Sequence, residues 1–207
     1  MAKKQFFLII STESSIDDTV VDFGAVVCDR AGKIHHEIAV LVSGGFRVKS
    51  LFYEVNANDV LGKEESGRRQ QHYEEMLKVG ARILCSTGAI NNWLGRTFKQ
   101  FEPVLTSFDL TSDLSSLQKT GIDVTGFNNR VSLSDMASKH FAKSKKYQAF
   151  IENNPSFKTK LQIMASFISG ALLAPESNTA FEDVKFYALP ILHSIVKRKD
   201  WREILAL

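Results

Sequence analysis

The chain predicts an α/β fold with a mixed sheet flanked by helices, and three observations carry that prediction. Three strand patterns come first, the periodicity then turns helical, and one further strand pattern precedes a largely helical remainder. Residues 6–10 (Phe-Phe-Leu-Ile-Ile) form a short, continuous apolar run with β-branched members, the pattern of a buried strand. Strands over 19–27 and 34–42 follow, with turn chemistry between them in Asp29-Arg30-Ala31-Gly32-Lys33. These three read as an antiparallel meander, which Ser43-Gly44-Gly45 ends as a turn.

From 63 to 79 the sequence is charged and sets Tyr73, Met76 and Leu77 on one apolar face of a helix. A second helical pattern over 82–101 aligns Ile83, Ile90, Trp93 and Leu94, and Pro103 ends it. Residues 104–108 then read as a strand reaching Asp109. Helices are expected over 113–119, 133–142, 147–152, 160–173 and 179–196. No repeat or low-complexity linker divides the chain. Its 207 residues, 44% of them apolar, therefore suffice for one core and one domain over 1–207.

Charge and cysteines narrow the functional classes. A net charge of +3 does not by itself announce nucleic acid. The cations are uneven, however: Lys139, Lys143, Lys145 and Lys146 cluster, and Lys197, Arg198, Lys199 and Arg202 crowd the C-terminus. Such runs are either solvated helix faces or phosphate contacts. Cys28 and Cys85 are far apart, form no CxxC, and read as buried or half-buried thiols in a reducing cytoplasm. The polar start does not resemble a signal peptide, and no apolar stretch approaches the roughly 18 residues of a membrane span. A soluble cytoplasmic protein is expected.

Three places carry candidate chemistry: Ser11-Thr12-Glu13 at the end of the first strand, Asp113 at a helix start after the strand over 104–108, and Asp183 near the start of the last long helix. Carboxylates converging from strand ends and a helix repel one another unless a cation sits among them. Two-metal hydrolysis uses such a cluster, with ions about 4 Å apart, and magnesium suits oxygen ligands. His35 and His36, beside Glu37, read as surface strand residues rather than a zinc site. Trp93 and Trp201 read as core packing.

In this order the residues resemble the DEDDh 3′–5′ exonucleases of the RNase H-like fold, and among them small phage-encoded members. The resemblance runs nearly end to end, through residues 20–30, 120–123 and 143–147. It is most specific at Thr179-Ala180-Phe181-Glu182-Asp183 and on to residue 192. It implies an RNase H-like core, an Asp-x-Glu on the first strand, a second Asp after a strand, and His-x4-Asp near the last helix. Carried over position by position, Glu13, Asp113 and Asp183 are retained, while Ser11 replaces the first Asp and Asn178 replaces the His. Erosion extends further, since Ser14-Ser15 stands for the usual Thr-Gly and Ser112 for a Phe.

A serine hydroxyl is neutral and a poor magnesium ligand. Asparagine has no titratable group to take a proton from water, a loss of roughly 10²–10⁴-fold in rate. The resemblance therefore implies a pseudoenzyme in which Glu13, Asp113 and Asp183 are at most a weak or vestigial site for magnesium or manganese. Its partner would be single-stranded nucleic acid, contacted through Lys143, Lys145 and Lys146, or a protein such as a host-defence component in the host cytoplasm. The alternative is an active magnesium- or manganese-dependent 3′–5′ exonuclease on single-stranded DNA or RNA, with Asp109, Asp17 or Asp18 supplying the missing carboxylate. Deliberate replacement of Ser11 and Asn178, and a homodimer paired through the helix over 63–79, stay open.

Overall fold

The structure, a computed structural model, describes residues 4–15, 17–46, 60–141, 143–155, 159–174 and 179–205, for 60–67 the backbone only. Among them six strands form one sheet: β1 (Phe6–Ser14), β2 (Val20–Asp29), β3 (Ile34–Val42), β4 (Ile83–Cys85), β5 (Val104–Ser107) and β6 (Arg130–Ser132). Their order is β4-β3-β2-β1-β5-β6. β2 runs antiparallel to β1 and β3, and every other pairing is parallel. The sheet is therefore mixed, with β2 its one reversed strand among those described.

The expected meander is present, and its second turn shows why. Asp29 Oδ1 accepts from the Ala31 amide at 2.9 Å and the Lys33 amide at 3.2 Å, while Gly32 takes φ +79°. An aspartate bonding its own turn, with glycine in the left-handed region, closes a tight hairpin cheaply.

The helices in chain order are α1 (Ser43–Phe46), α2 (Val60–Lys78), α3 (Thr87–Phe101), α4 (Leu110–Thr120), α5 (Leu133–Phe141), α6 (Lys145–Asn153), α7 (Lys160–Ser169), α8 (Ala180–Asp183), α9 (Leu189–Val196) and α10 (Trp201–Leu205). They cover both faces of the sheet. Leu8 and Ile10 of β1 pack with Ile90, Trp93 and Leu94 of α3 and Leu117 of α4. Phe7 and Ile9 pack on the other side with α5, α7, α9 and α10. A strand buried on both faces needs apolar residues at every position, which explains the unbroken run at 6–10. Tyr73 of α2 joins Val21 and Leu41 in a smaller cluster, flanked by Met76 and Leu77 as the spacing predicts.

Several expectations need correction. The pattern over 82–101 is not one helix. Ile83–Cys85 is an edge strand parallel to β3, and α3 begins after Ser86, whose side chain accepts from the Ala89 amide. Ile83 is 60% exposed, so its alignment with Ile90 was coincidence. Ser43-Gly44-Gly45 belongs to one helical turn. The helix expected to reach 173 stops at Ser169, where Gly170 takes φ +70°. β6 and α10, three and five residues long, are too short to show periodicity.

The last long helix is interrupted as well. Between α8 and α9 the chain makes a π turn over Val184–Ala188, with the Leu189 amide reaching back to the Val184 carbonyl. Pro190 follows at the first turn of α9. A widened turn accommodates a proline, which lacks an amide and would crowd a regular helix.

Trp93 and Trp201 are core residues, and Cys28 is buried, its thiol pushed up to about 12 by burial. His36 stacks on Trp93 at 4.8 Å, and His35 bonds Asp29 at 2.9 Å. Among the described residues no helix is long and apolar enough to cross a membrane.

Candidate functional site

β5 ends before β1 does. Their last bridge pairs Ile10 with Ser107, after which β1 continues through Ser14 alongside β2. From these adjacent parallel ends the chain leaves in opposite directions, β1 toward β2 and β5 through α4 toward β6. Such a reversal opens a crevice at the carboxyl ends of the strands, where α/β sheets take ligands.

Asp113 lies buried beside these strand ends. Asp109 caps α4 by accepting from the Ser112 amide at 3.3 Å, which puts Asp113 in the first turn. Its Oδ1 accepts from the Thr12 amide at 3.0 Å and the Thr12 hydroxyl at 2.6 Å, and its Oδ2 accepts from the Ser107 hydroxyl. A β1 amide beyond the last bridge to β5 is thus satisfied by a side chain. Burial pushes the Asp113 carboxyl up to about 6, against the pull of the Ser107 and Thr12 donors.

Ser11 and Glu13 follow Phe7 and Ile9 on the opposite face by strand alternation. Across the ladder they pair with Gly24 and Asp22 of β2. The start of α8 lies directly on this square. A Cβ at Gly24 would fall 2.3 Å from the Phe181 nitrogen and 2.4 Å from its Cα, so only glycine admits the helix.

Asp22 is 0% exposed and binds the helix start, its Oδ2 accepting from the Ala180 amide at 2.9 Å. It also accepts from the Tyr73 hydroxyl and from Arg82 Nε, both at 3.2 Å. Arg82 in turn donates to Glu182 of α8. Burial pushes Asp22 above the ordinary carboxylate range, while Arg82 and the Ala180 amide pull it back. Glu13 accepts from Arg69 of α2 at 2.5 Å. Three carboxylates, Glu13, Asp22 and Glu182, are thus interleaved with two guanidiniums.

The positions carried over from the sequence divide accordingly. Ser11 and Glu13 share a face, and Asp113 reaches Thr12 between them. Asp183 is buried in α8, which packs on both β1 and β2. Asn178 lies outside the described residues. The three carboxylates considered as substitutes are engaged elsewhere: Asp17 with Ser15 and Thr19, Asp18 with Lys119 at 2.5 Å, and Asp109 as the α4 cap. Lys143, Lys145 and Lys146 are exposed around the start of α6, which is anchored by the buried Tyr147.

A divalent ion held as the resemblance implies would take oxygens of Glu13, Asp113 and Asp183. Glu13 already faces a guanidinium, and the two Asp113 oxygens accept three hydrogen bonds. Among the described residues no three His, Cys, Asp or Glu side chains gather as a metal group. Asp22, Tyr73, Arg69 and Arg82 were not foreseen from the sequence. Asp22 alone left a signal, a charge near the start of a strand whose following residues to Cys28 carry none, where burial demands partners. Compared with known proteins, the chain matches no family model and, at a significant level, no curated protein.

Proposed function

We propose that the chain is a noncatalytic protein with an RNase H-like, DEDDh exonuclease-like fold, acting by binding nucleic acid or a partner protein rather than by cleavage. The observation that carries this reading is Arg69 against Glu13, where a hydrolytic site would hold its cation. A guanidinium supplies positive charge, yet it brings no bound water to activate and no open coordination position for a phosphate oxygen. The mixed sheet with helices on both faces supports the fold. Carboxylates at the adjoining ends of β1 and α4 support descent from a hydrolase.

Within this reading Glu13 and Asp113 hold structure. Asp113 ties α4 to β1, and Glu13 ties α2 to the same strand end. Ser11 adds no charge beside them, so the site balances with arginine alone.

The test is a calorimetric titration with manganese and magnesium, paired with digestion of 3′-labelled single-stranded DNA and RNA. It is run on the natural chain and on Ser11→Asp plus Asn178→His. The natural chain is expected to show no metal-binding heat and to leave the oligonucleotides intact. Cleavage by the natural chain that a chelator abolishes overturns the proposal and establishes the exonuclease alternative.

A further inference from the structure

The end of the sheet opposite the crevice has a different character. There the turn between β2 and β3 rests on the end of α9. Arg30 Nε donates to the Val196 carbonyl at 3.0 Å and its Nη2 to the Arg198 carbonyl at 3.4 Å. Gly32 faces the His193 ring. The Arg30 and Arg202 guanidiniums each stand 4.9 Å from the Trp201 ring centre, and Trp201 packs edge-on against Phe7 near the start of β1. Arg202 also lines a cavity of about 350 Å³ with Lys4, Gln5, Glu102, Asn128 and Asn129.

Segments remote in sequence therefore bring cations to one place. Arg30, Lys33, Lys197, Lys199 and Arg202 are all exposed, and no ion pair among the described residues involves them. Lys4 and Arg198 beside them are paired with Asp29 and Asp200. Asp29, Glu102, Asp200 and Glu203 share this end, but Asp29 and Asp200 are taken up by Lys4 and Arg198, which leaves the five cations outward.

We propose that this basic end, and not the crevice beside Asp113, is the surface on which the chain holds a nucleic-acid phosphate backbone. Arg30 is already fixed by carbonyl bonds and by Trp201, so it loses little freedom on meeting a phosphate. The exposed lysines release counterions from a polyanion. At the other end Asp113 is buried, and Arg69 and Arg82 already face Glu13, Asp22 and Glu182, so little positive charge is left there for a phosphate. From Phe7 to Glu13 the strand spans about 20 Å, at roughly 3.3 Å per residue, so a backbone held at the basic end lies clear of the carboxylates. This inference takes nucleic acid as the ligand from the noncatalytic reading above and moves its site to the far end.

The test is fluorescence anisotropy of a 5′-labelled single-stranded oligonucleotide, as DNA and as RNA, at low and at physiological salt. The full chain is compared with Lys33→Glu/Lys197→Glu/Lys199→Glu and with Lys143→Glu/Lys145→Glu/Lys146→Glu. The natural chain is expected to bind, with affinity falling steeply as salt rises. The first triple weakens binding at least tenfold and lowers the salt slope by about 2–3, and the second changes affinity less than about twofold. If thermal melting shows that charge reversal harms folding, the corresponding Lys→Gln triple decides.

No binding at low salt, loss in the second triple but not the first, or tighter binding to phosphatidylglycerol vesicles than to the oligonucleotide would each overturn the proposal. Degradation of the oligonucleotide overturns the noncatalytic reading instead. The two can therefore fail separately.

Discussion

β1 has charge at both of its ends, and the two ends treat it in opposite ways. At the crevice, Asp22, Glu182 and Glu13 are taken into the protein and each faces an arginine. At the other end Lys33, Lys197 and Lys199 stay in water. Burying a charge demands a partner fixed in place, so buried pairs define structure and are costly to break singly. Exposed charges cost folding little and stay available to whatever approaches. The acidic end holds elements together, whereas the basic end keeps its charges outward.

The comparison is tested most severely at Asp22. Asp22→Ala leaves Arg82, 2% exposed, against Glu182 alone and strips the Ala180 amide and the Tyr73 hydroxyl of their acceptor. Urea unfolding is expected to show a loss of about 3–5 kcal/mol. A loss below about 1 kcal/mol would mean that the acidic end is no more structural than the basic one.

Asp113 gives a pH signature. Its folded value of about 6 lies above its ordinary 3.8, so the native state holds the proton more tightly than the unfolded chain. Its stabilising contribution is complete below about pH 4 and is lost as pH rises through about 6. Asp113→Asn keeps an oxygen for Thr12, offers an amide to the Ser107 hydroxyl, and removes this titration. Stability at pH 7.5 should rise by about 2 kcal/mol, and the loss between pH 4 and 6.5 should flatten, as read by chemical unfolding across that range. A variant less stable than the natural chain at pH 7.5 would refute this.

Arg69→Met removes the partner of Glu13 and should cost about 1–2 kcal/mol in unfolding free energy. Combined with Ser11→Asp, it should also let manganese raise the melting temperature, with no such rise expected for the natural chain. If manganese stabilises the natural chain equally, Arg69 is not holding the cation's place. The smallest effect belongs to the basic end. Arg198→Ala breaks only an exposed pair with Asp200, and its melting temperature should be indistinguishable from that of the natural chain.

The meander was legible in the sequence because apolar runs and the Asp29–Lys33 turn are local signals. β4 was not, since three residues fit either period, although Ser86 offered a helix-start signal that would have divided the segment. For the site, Glu13 and Asp113 could be placed because strand ends locate them. Their partners could not. Arg69 sits in a polar helix, 56 residues from Glu13, and nothing within that helix distinguishes it from a solvated arginine. Pairing across the fold is a property of the packed chain, which no window of sequence contains.

The π turn at Val184–Ala188 separates two demands placed on one continuous rod. Each residue advances a helix by about 100°, given 3.6 residues per turn. Deleting one residue there, so as to restore a regular helix, would swing Glu182 and Asp183 by about that angle relative to Ile191, Leu192 and Ile195. Either the acidic turn or the apolar seam would then leave the sheet. The segment thus works as a phase shifter between two separately tuned faces: exchanging side chains within it is tolerated far better than changing its length.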